Sequence, residues 1–535
     1  MENLDPIDWI ICGGYLAMIV GLGVYFSDKQ SNNSDYFFGG RRMHWLPVGL
    51  SLFAATISAN SFVGLPAEGA FGNYHQLLAI LFIPFVVIPI TCFWFIPFYK
   101  HLGFLSLYEY LERRFARPIR LVASLIFMAY LAGWMGTMLL AVTRILNAVL
   151  ENESAGQTIA VILVVGAMAT LYTALGGVKA VIWTDTIQAF ALFGGMVFLL
   201  FLVVGRIDGG WSAFFQTGSE AGKFDMFRTD GGFGKRNVFS ACAYGLFVYL
   251  GGQLANYAAY QRYVAVDSVQ DAQRSLWIKA GFTLFSCTLF FLVGTALFVF
   301  YQQTDVELFN AYATGRTRDQ LLPHFVINHA GGFGMTGMIL AGLFAAAMSS
   351  LDTGINSMTA TVVEDWQNGR ELGVRTNRLL TLGFGSAVTV TACALSLIDS
   401  PVFDLFLSVA GATLGLLFAV LMLGMLVPRA NTIGAISGVV AGLAVFVTVR
   451  LWIPGLDEAQ LAKLGAFAGL KSNTWWDGMF TTVTAFGIGT LVSFLTQPPD
   501  PSRQRGLLLR RWKEHDDEST FSTRSESDSL RKEEP

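Results

Sequence analysis

Apolar residues run through this chain in blocks of about 17–30, cut by short polar stretches. A bilayer core takes roughly 20 helical residues to cross, so each block reads as one span. The pattern predicts helices at about 8–26, 44–68, 75–99, 119–149, 156–174, 180–205, 238–259, 274–301, 331–362, 378–397, 403–427, 430–453 and 477–496. That is an all-α integral membrane fold of about 13 transmembrane helices. Composition agrees: the 535 residues are 53% hydrophobic and 14% charged, with 45 phenylalanines, more apolar surface than a soluble core could hide.

Charge then orients the bundle. Arg113, Arg114 and Arg117 follow the third helix, Lys179 the fifth, Arg262 and Arg274 the seventh, Arg370, Arg375 and Arg378 the ninth and Arg429 the eleventh, joined by Lys29, Arg41 and Arg42 after the first. Basic residues in every second connection put those connections in the cytoplasm. The amino terminus is then expected outside and the carboxyl terminus in the cytoplasm, with the plasma membrane, or the inner membrane of a bacterium, as the location. The opening "MENLDPIDW" carries acids and no basic run, unlike a secretory signal. Residues 501–535, polar and mixed in charge, are expected to be a disordered cytoplasmic tail. Cys12, Cys92, Cys242, Cys287 and Cys393 lie inside apolar blocks without metal-ligand spacing and read as packing residues.

Polar interruptions within the blocks carry the chemistry. In "SLFAATISANSFVGLPAEGA", residues 51–70, Pro66 cannot donate a backbone hydrogen bond and Gly64 eases departure from helical angles, which predicts a break in the second helix near those residues. Broken backbone at membrane depth is tolerated only where protein or a water-filled cavity surrounds it. The seventh helix, "GLFVYLGGQLANYAAYQR", combines Gly251 and Gly252 with Gln253 and Asn256 and is predicted to break as well. Two broken helices five apart and opposite in direction suggest inverted repeats around a midplane site. On the ninth helix, Ser349, Asp352, Thr353 and Asn356 fall at i, i+3, i+4 and i+7 and form one polar stripe. Asp185 lies in the sixth, "YTALGGVKAVIWTDTIQAF". Carboxylates inside a membrane face a cavity, pair or take a proton. Counting 1.5 Å per residue, Ala54 and Ile57 share a level with Ser349 and Ser350. Carbonyls of a broken helix, hydroxyls and a carboxylate are hard oxygen ligands suited to a small cation, with sodium first and protons as the alternative.

The segments "SLFAATISANSFVGLPAEGAFG", "YTALGGVKAVIWTDTIQAF", "NYAAYQRYVAVDS" and "AAAMSSLDTGINSMTATVVEDW" resemble, in order and placement, the sodium:solute symporter family, in wording closest to its branch for monocarboxylates, iodide and carboxylate vitamins. The resemblance covers nearly the whole chain to about residue 500. It implies a LeuT-like 5+5 inverted repeat with broken helices 2 and 7, repeats at about 44–205 and 238–427 within a transporter domain of residues 1–500, and Na+ as coupling ion. By the family's pattern, sodium falls on the backbone carbonyls of Ala54, Ile57 and Ala346 and the hydroxyls of Ser349 and Ser350. A possible second sodium matches Asp185, Ser349, Asp352 and Thr353, where a two-sodium member has two serines in place of Asp352 and Thr353. The solute positions match Asn60, Ser61, Phe62, Tyr249, Gln253 and Asn256. Sugar-transporting members carry an acid–glutamine pair where Asn60 and Ser61 stand, and a tyrosine–tryptophan gate where Gly252 and Gln253 stand, which points away from a sugar.

The expected function is sodium-coupled symport of a small organic solute by alternating access, a small carboxylate first, with a sugar, sialic acid or amino acid as alternatives. A transporter-like sensor or passive channel is the reading from another class. An enzyme is not expected, because the six histidines are scattered between helix ends, an outer connection and the tail and compose no catalytic group. The partners implied are the solute, sodium and the lipid bilayer, with no nucleic acid and no obligatory protein partner.

Overall fold

The computed structural model describes residues 6–27, 43–104, 106–149, 154–175, 178–329, 334–367 and 373–510, apart from some side chains within helices. Lys29, Arg41, Arg42, Arg370 and most of the tail, 511–535, lie outside the described residues, as does the side chain of Ser349. Each predicted span has its helix. They are α1 (Pro6–Ser27), α2a (Trp45–Thr56) with α2b (Ala59–Phe71), α3 (His75–Leu102), α4 (Arg117–Val149), α5 (Ala155–Leu175) and α6 (Val178–Gly205). The second half holds α7a (Val238–Leu254) with α7b (Tyr257–Ala265), α8 (Val269–Thr304), α9 (Thr336–Trp366), α10 (Arg375–Ser396), α11 (Val402–Leu426), α12 (Thr432–Gly455) and α13 (Thr474–Leu495). Among the described residues nine of these are single helices long and apolar enough to cross a membrane, and the pairs α2a/α2b and α7a/α7b bend by 60° and 54°.

The packing repeats with a pseudo-twofold. The second helix of each half lies on the broken helix of the other: α8 runs along both halves of α2, while α3 packs against α7a. Likewise α6 contacts α2a and α9, and α11 contacts α7a and α4, the corresponding pairs. Inverted repeats produce this exchange. Close approach of α2b and α8 needs glycine. A Cβ on Gly69 would stand 2.7 Å from the carbonyl oxygen of Phe291, and one on Gly294 would stand 2.8 Å from the Cα of Gly69. Small residues let helices meet backbone to backbone where lipid offers no hydrophobic drive. In α3 the prolines at 84, 89 and 97 are carried by wider turns at Ile83–Val87 and Thr91–Phe95, which absorb the missing N–H groups.

Three expectations change. The break of the second helix falls at Ile57 (φ −90°, ψ 111°) and Ser58 (φ −121°, ψ 177°), and Pro66 sits inside α2b with Gly64. Gly64 serves packing instead, since a Cβ there would run into Phe403. In the seventh helix Gly251 and Gly252 stay helical, and the chain turns at Ala255–Asn256, where Asn256 caps α7b by accepting from the N–H of Ala258 at 2.9 Å. Arg262, expected in a connection, therefore lies within α7b and is 5% exposed. The start of the tail is also ordered: Leu507 and Leu508 are buried, and the Leu507 carbonyl accepts from the Tyr110 hydroxyl at 3.1 Å.

Candidate solute and cation sites between the broken helices

The two breaks are not equivalent. At α7 the carbonyls released by the turn are taken by tyrosines: Tyr99 donates to the Leu254 carbonyl at 2.7 Å and Tyr108 to that of Ala255 at 3.0 Å. A break whose carbonyls are claimed by protein hydroxyls is structural. At α2 the break instead lies against α9, which contacts both α2a and α2b. Ala54, Ile57, Ala346 and Ser350 are all buried, and the Ser350 hydroxyl has no hydrogen-bond partner among the described residues. A buried hydroxyl left without a partner costs about 1–3 kcal/mol unless something fills its place. The α2 break and α9 thus place backbone carbonyls and the Ser350 hydroxyl, the kind of hard oxygen ligand a small cation takes, on neighbouring buried elements.

About one turn further along α9, Asp352 accepts from the Thr173 hydroxyl of α5, and Thr353 accepts from Arg262 Nη2 at 2.7 Å. Asp185 is wholly buried on α6. Its Oδ2 takes the Ser51 hydroxyl at 2.6 Å and Arg262 Nη2 at 3.3 Å, while Oδ1 has no partner among the described residues. The Arg262 guanidinium also reaches Ser51 Oγ at 3.0 Å and the Ala258 carbonyl at 3.1 Å. This buried knot joins α2a, α6, α7b and α9.

Beside the breaks lies a cavity of about 140 Å³. Ser61, Tyr249, Gln253 and Asn256 line it, as the sequence expects. Asn60 and Phe62 do not: Asn60 donates to the Thr137 hydroxyl at 2.7 Å, and Phe62 packs edge-on against Phe290 at 5.9 Å between ring centres. Helical geometry turns neighbours of Ser61 about 100° away from its face. The stacked rings of Tyr130 and Trp134, 5.6 Å apart, form another wall. The charged residues among the described lining are Arg262 and Lys279, both basic. Lys279, on α8, is 7% exposed and donates to Gln253 Oε1 at 2.7 Å. Gln253 is itself anchored on the Tyr263 hydroxyl. Arg262 is balanced by Asp185, whereas Lys279 forms no ion pair among the described residues.

Lys279 and Arg262 are the residues that sequence reasoning missed. Lys279 had a signal, being a charge within the apolar block 274–301. Arg262 had none, because a basic residue at the end of a span reads as an anchoring flank.

A second ion network ties α2b to α11. Arg236 donates to Glu68 Oε2 at 2.6 Å and pairs with Asp404, its guanidinium lying 5.1 Å over the ring of Trp475, and Arg318 stands 3.6 Å from Glu68 Oε1.

Comparison with known proteins shows the fold and the family. The Sodium/sialic acid symporter SiaT of Proteus mirabilis is 30% identical over 93% of this chain and 97% of its own length. The human Sodium/iodide cotransporter is 31% identical over 82% and 68%, and the human Sodium-coupled monocarboxylate transporter 1 is 29% identical over 83% and 73%. A solved structure of a Na+-coupled sialic acid symporter, substrate-bound and outward-open, superposes with a TM-score of 0.79 at 27% identity, covering 93% of this chain and 99% of that one. The Mhp1 transporter, at 12% identity and a TM-score of 0.51, shares the fold. The family description "Sodium:solute symporter family" matches residues 36–442. With its broken helices, its inverted repeats and relatives that couple solutes to sodium, the chain belongs to the sodium:solute symporter family and is a multi-pass membrane transporter with Na+ as coupling ion.

Proposed function

We propose that the protein imports a small monocarboxylate together with sodium by alternating access. The observation that carries the carboxylate is the basic character of the cavity wall: two buried basic side chains, of which Lys279 lacks an acidic partner among the described residues. A buried ammonium is costly unless an anion compensates it, and a transported carboxylate supplies that anion. Size favours a small one. A cavity of about 150 Å³ holds a molecule the size of benzene, six non-hydrogen atoms, and lactate has as many. Sialic acid, transported by the SiaT relative, carries the same carboxylate on a larger body and is the second reading.

Sodium is assigned to the carbonyls of Ala54, Ile57 and Ala346 and the hydroxyls of Ser349 and Ser350, where it bridges α9 to the α2 break. Ser61, Tyr249, Gln253 and Asn256 orient the rest of the solute. Sodium binding orders the broken end of α2, the solute binds the ordered pocket, and release follows when the far side opens; coupling is the difference in affinity of the two states for the pair. The basic connections orient the bundle with its amino terminus outside and its carboxyl terminus in the cytoplasm, in the plasma membrane or a bacterial inner membrane. The transporter domain extends to about residue 500.

Uptake into proteoliposomes under an inward sodium gradient, with potassium replacing sodium as control, tests this. Lactate, pyruvate, acetate and nicotinate form one arm, and sialic acid, glucose, proline and iodide the other. Sodium-driven accumulation of a small monocarboxylate above equilibrium is expected. Accumulation of sialic acid alone selects the second reading, and mere equilibration of every solute would refute symport.

A further inference from the structure

The resemblance that gives this chain one sodium position also implies a possible second, on Asp185, Ser349, Asp352 and Thr353. Three of the oxygens there are already engaged. One nitrogen of Arg262, Nη2, donates to Thr353 Oγ1 at 2.7 Å and to Asp185 Oδ2 at 3.3 Å, and Asp352 Oδ1 holds the Thr173 hydroxyl. The guanidinium is fixed from both sides, by Ser51 Oγ at 3.0 Å and by the Ala258 carbonyl at 3.1 Å, and is 5% exposed. A lone pair that accepts an N–H is not available to a metal ion. An ion sharing Thr353 Oγ1 or Asp185 Oδ2 with the guanidinium would also stand beside its positive charge, and two like charges in a medium of low dielectric repel strongly.

We propose that Arg262 is the built-in cation of this second position, so that the transporter binds one sodium ion per cycle. Asp185 then serves as counter-ion to Arg262 and fixes α7b against α6, and its unpartnered Oδ1 marks the direction from which a mobile ion would have to enter. The charge balance of transport follows: one sodium carried with one monocarboxylate moves no net charge, so membrane voltage does not drive uptake. The inference rests on the assignment of sodium to the α2 break and Ser350.

Equilibrium binding of radioactive sodium to the purified full-length chain, without solute, tests it. Saturation at one ion per chain is expected, with the affinity lowered at least about 10-fold in Ser350→Ala, the loss of one ligand of the remaining ion. Arg262→Gln removes the resident charge, frees Asp185 and Thr353, and is expected to saturate at two. Two ions on the wild type would overturn the inference and leave the sodium assignment standing. One ion on both wild type and Arg262→Gln would overturn it as well, since the guanidinium would not be what excludes the second. No binding to the wild type would remove the sodium assignment, and the inference with it. A wild-type ratio of two overturns the inference even if Arg262→Gln does not fold.

Discussion

Lys279→Met separates a transport role from a structural one, because the two move in opposite directions. The substitution keeps the volume of the side chain and removes its charge. A charge-assisted hydrogen bond to a solute carboxylate contributes about 1.5–3 kcal/mol, so KM for the carboxylate should rise about 10- to 150-fold. Without solute the balance reverses. Lys279 is 7% exposed and rests on the neutral Gln253 Oε1. Removing an uncompensated buried charge recovers several kcal/mol of desolvation, against about 1–3 kcal/mol for leaving the Gln253 oxygen without a donor. The variant should therefore unfold at a higher temperature than the wild type. Added carboxylate should stabilise the wild type and not the variant, since only binding to the folded state shifts its midpoint. Uptake kinetics in proteoliposomes and thermal unfolding in detergent measure both quantities. An unchanged KM together with a lowered midpoint would refute the reasoning and make Lys279 a packing residue.

Arg236→Met should lower stability by about 3 kcal/mol, because it strands Asp404 and leaves Glu68 only the more distant Arg318; adding Glu68→Gln and Asp404→Asn should recover most of the loss in thermal unfolding. Gly294→Ala should cost about 1–3 kcal/mol and reduce folded yield, since the new methyl meets the backbone of α2b 2.8 Å away at Gly69 Cα; an undiminished midpoint would mean that the two helices separate freely. Lys223, in the connection before α7a, donates to the carbonyls of Ala70 at 2.5 Å and Gly72 at 3.2 Å, and burial, aided by Arg318, lowers its pKa from 10.5 to about 8. The unfolded chain then binds more protons than the folded one between those values, so the contribution of Lys223 to stability should rise with pH across that window. Lys223→Gln should remove this rise from midpoints measured between pH 7 and 10.5.

The hydropathy pattern placed all of the spans, and the polar interruptions singled out the two helices that break, with Asn256 among the residues named for the seventh, yet the glycines and the proline named for the breaks do not break the chain. Gly64, Pro66, Gly251 and Gly252 are the local helix-breakers, but the chain stays helical through them. The turns fall at Ile57–Ser58 and Ala255–Asn256. At α7 the reason is visible: Tyr99 and Tyr108, from α3 and the connection beyond it, supply the hydroxyls that make broken backbone tolerable. Propensity is a local quantity, whereas satisfaction of a buried carbonyl depends on what another helix brings.

The same distinction divides the site. Sequence alone determined an all-helical membrane bundle, its family, the polar stripe of α9 and four of the residues that line the cavity, Ser61, Tyr249, Gln253 and Asn256. These follow from the hydrophobic length of a bilayer, the periodicity of a helix and the motifs carried on them. Only the tertiary structure decided that Asn60 and Phe62 turn away, that Lys279 faces the cavity without an acid among the described residues, and that Arg262 lies on Asp185 and Thr353. Ser51, Asp185 and Thr353 stand 211, 77 and 91 residues from Arg262. A charge in a membrane is defined by its partner, and the partner is chosen by how distant helices cross.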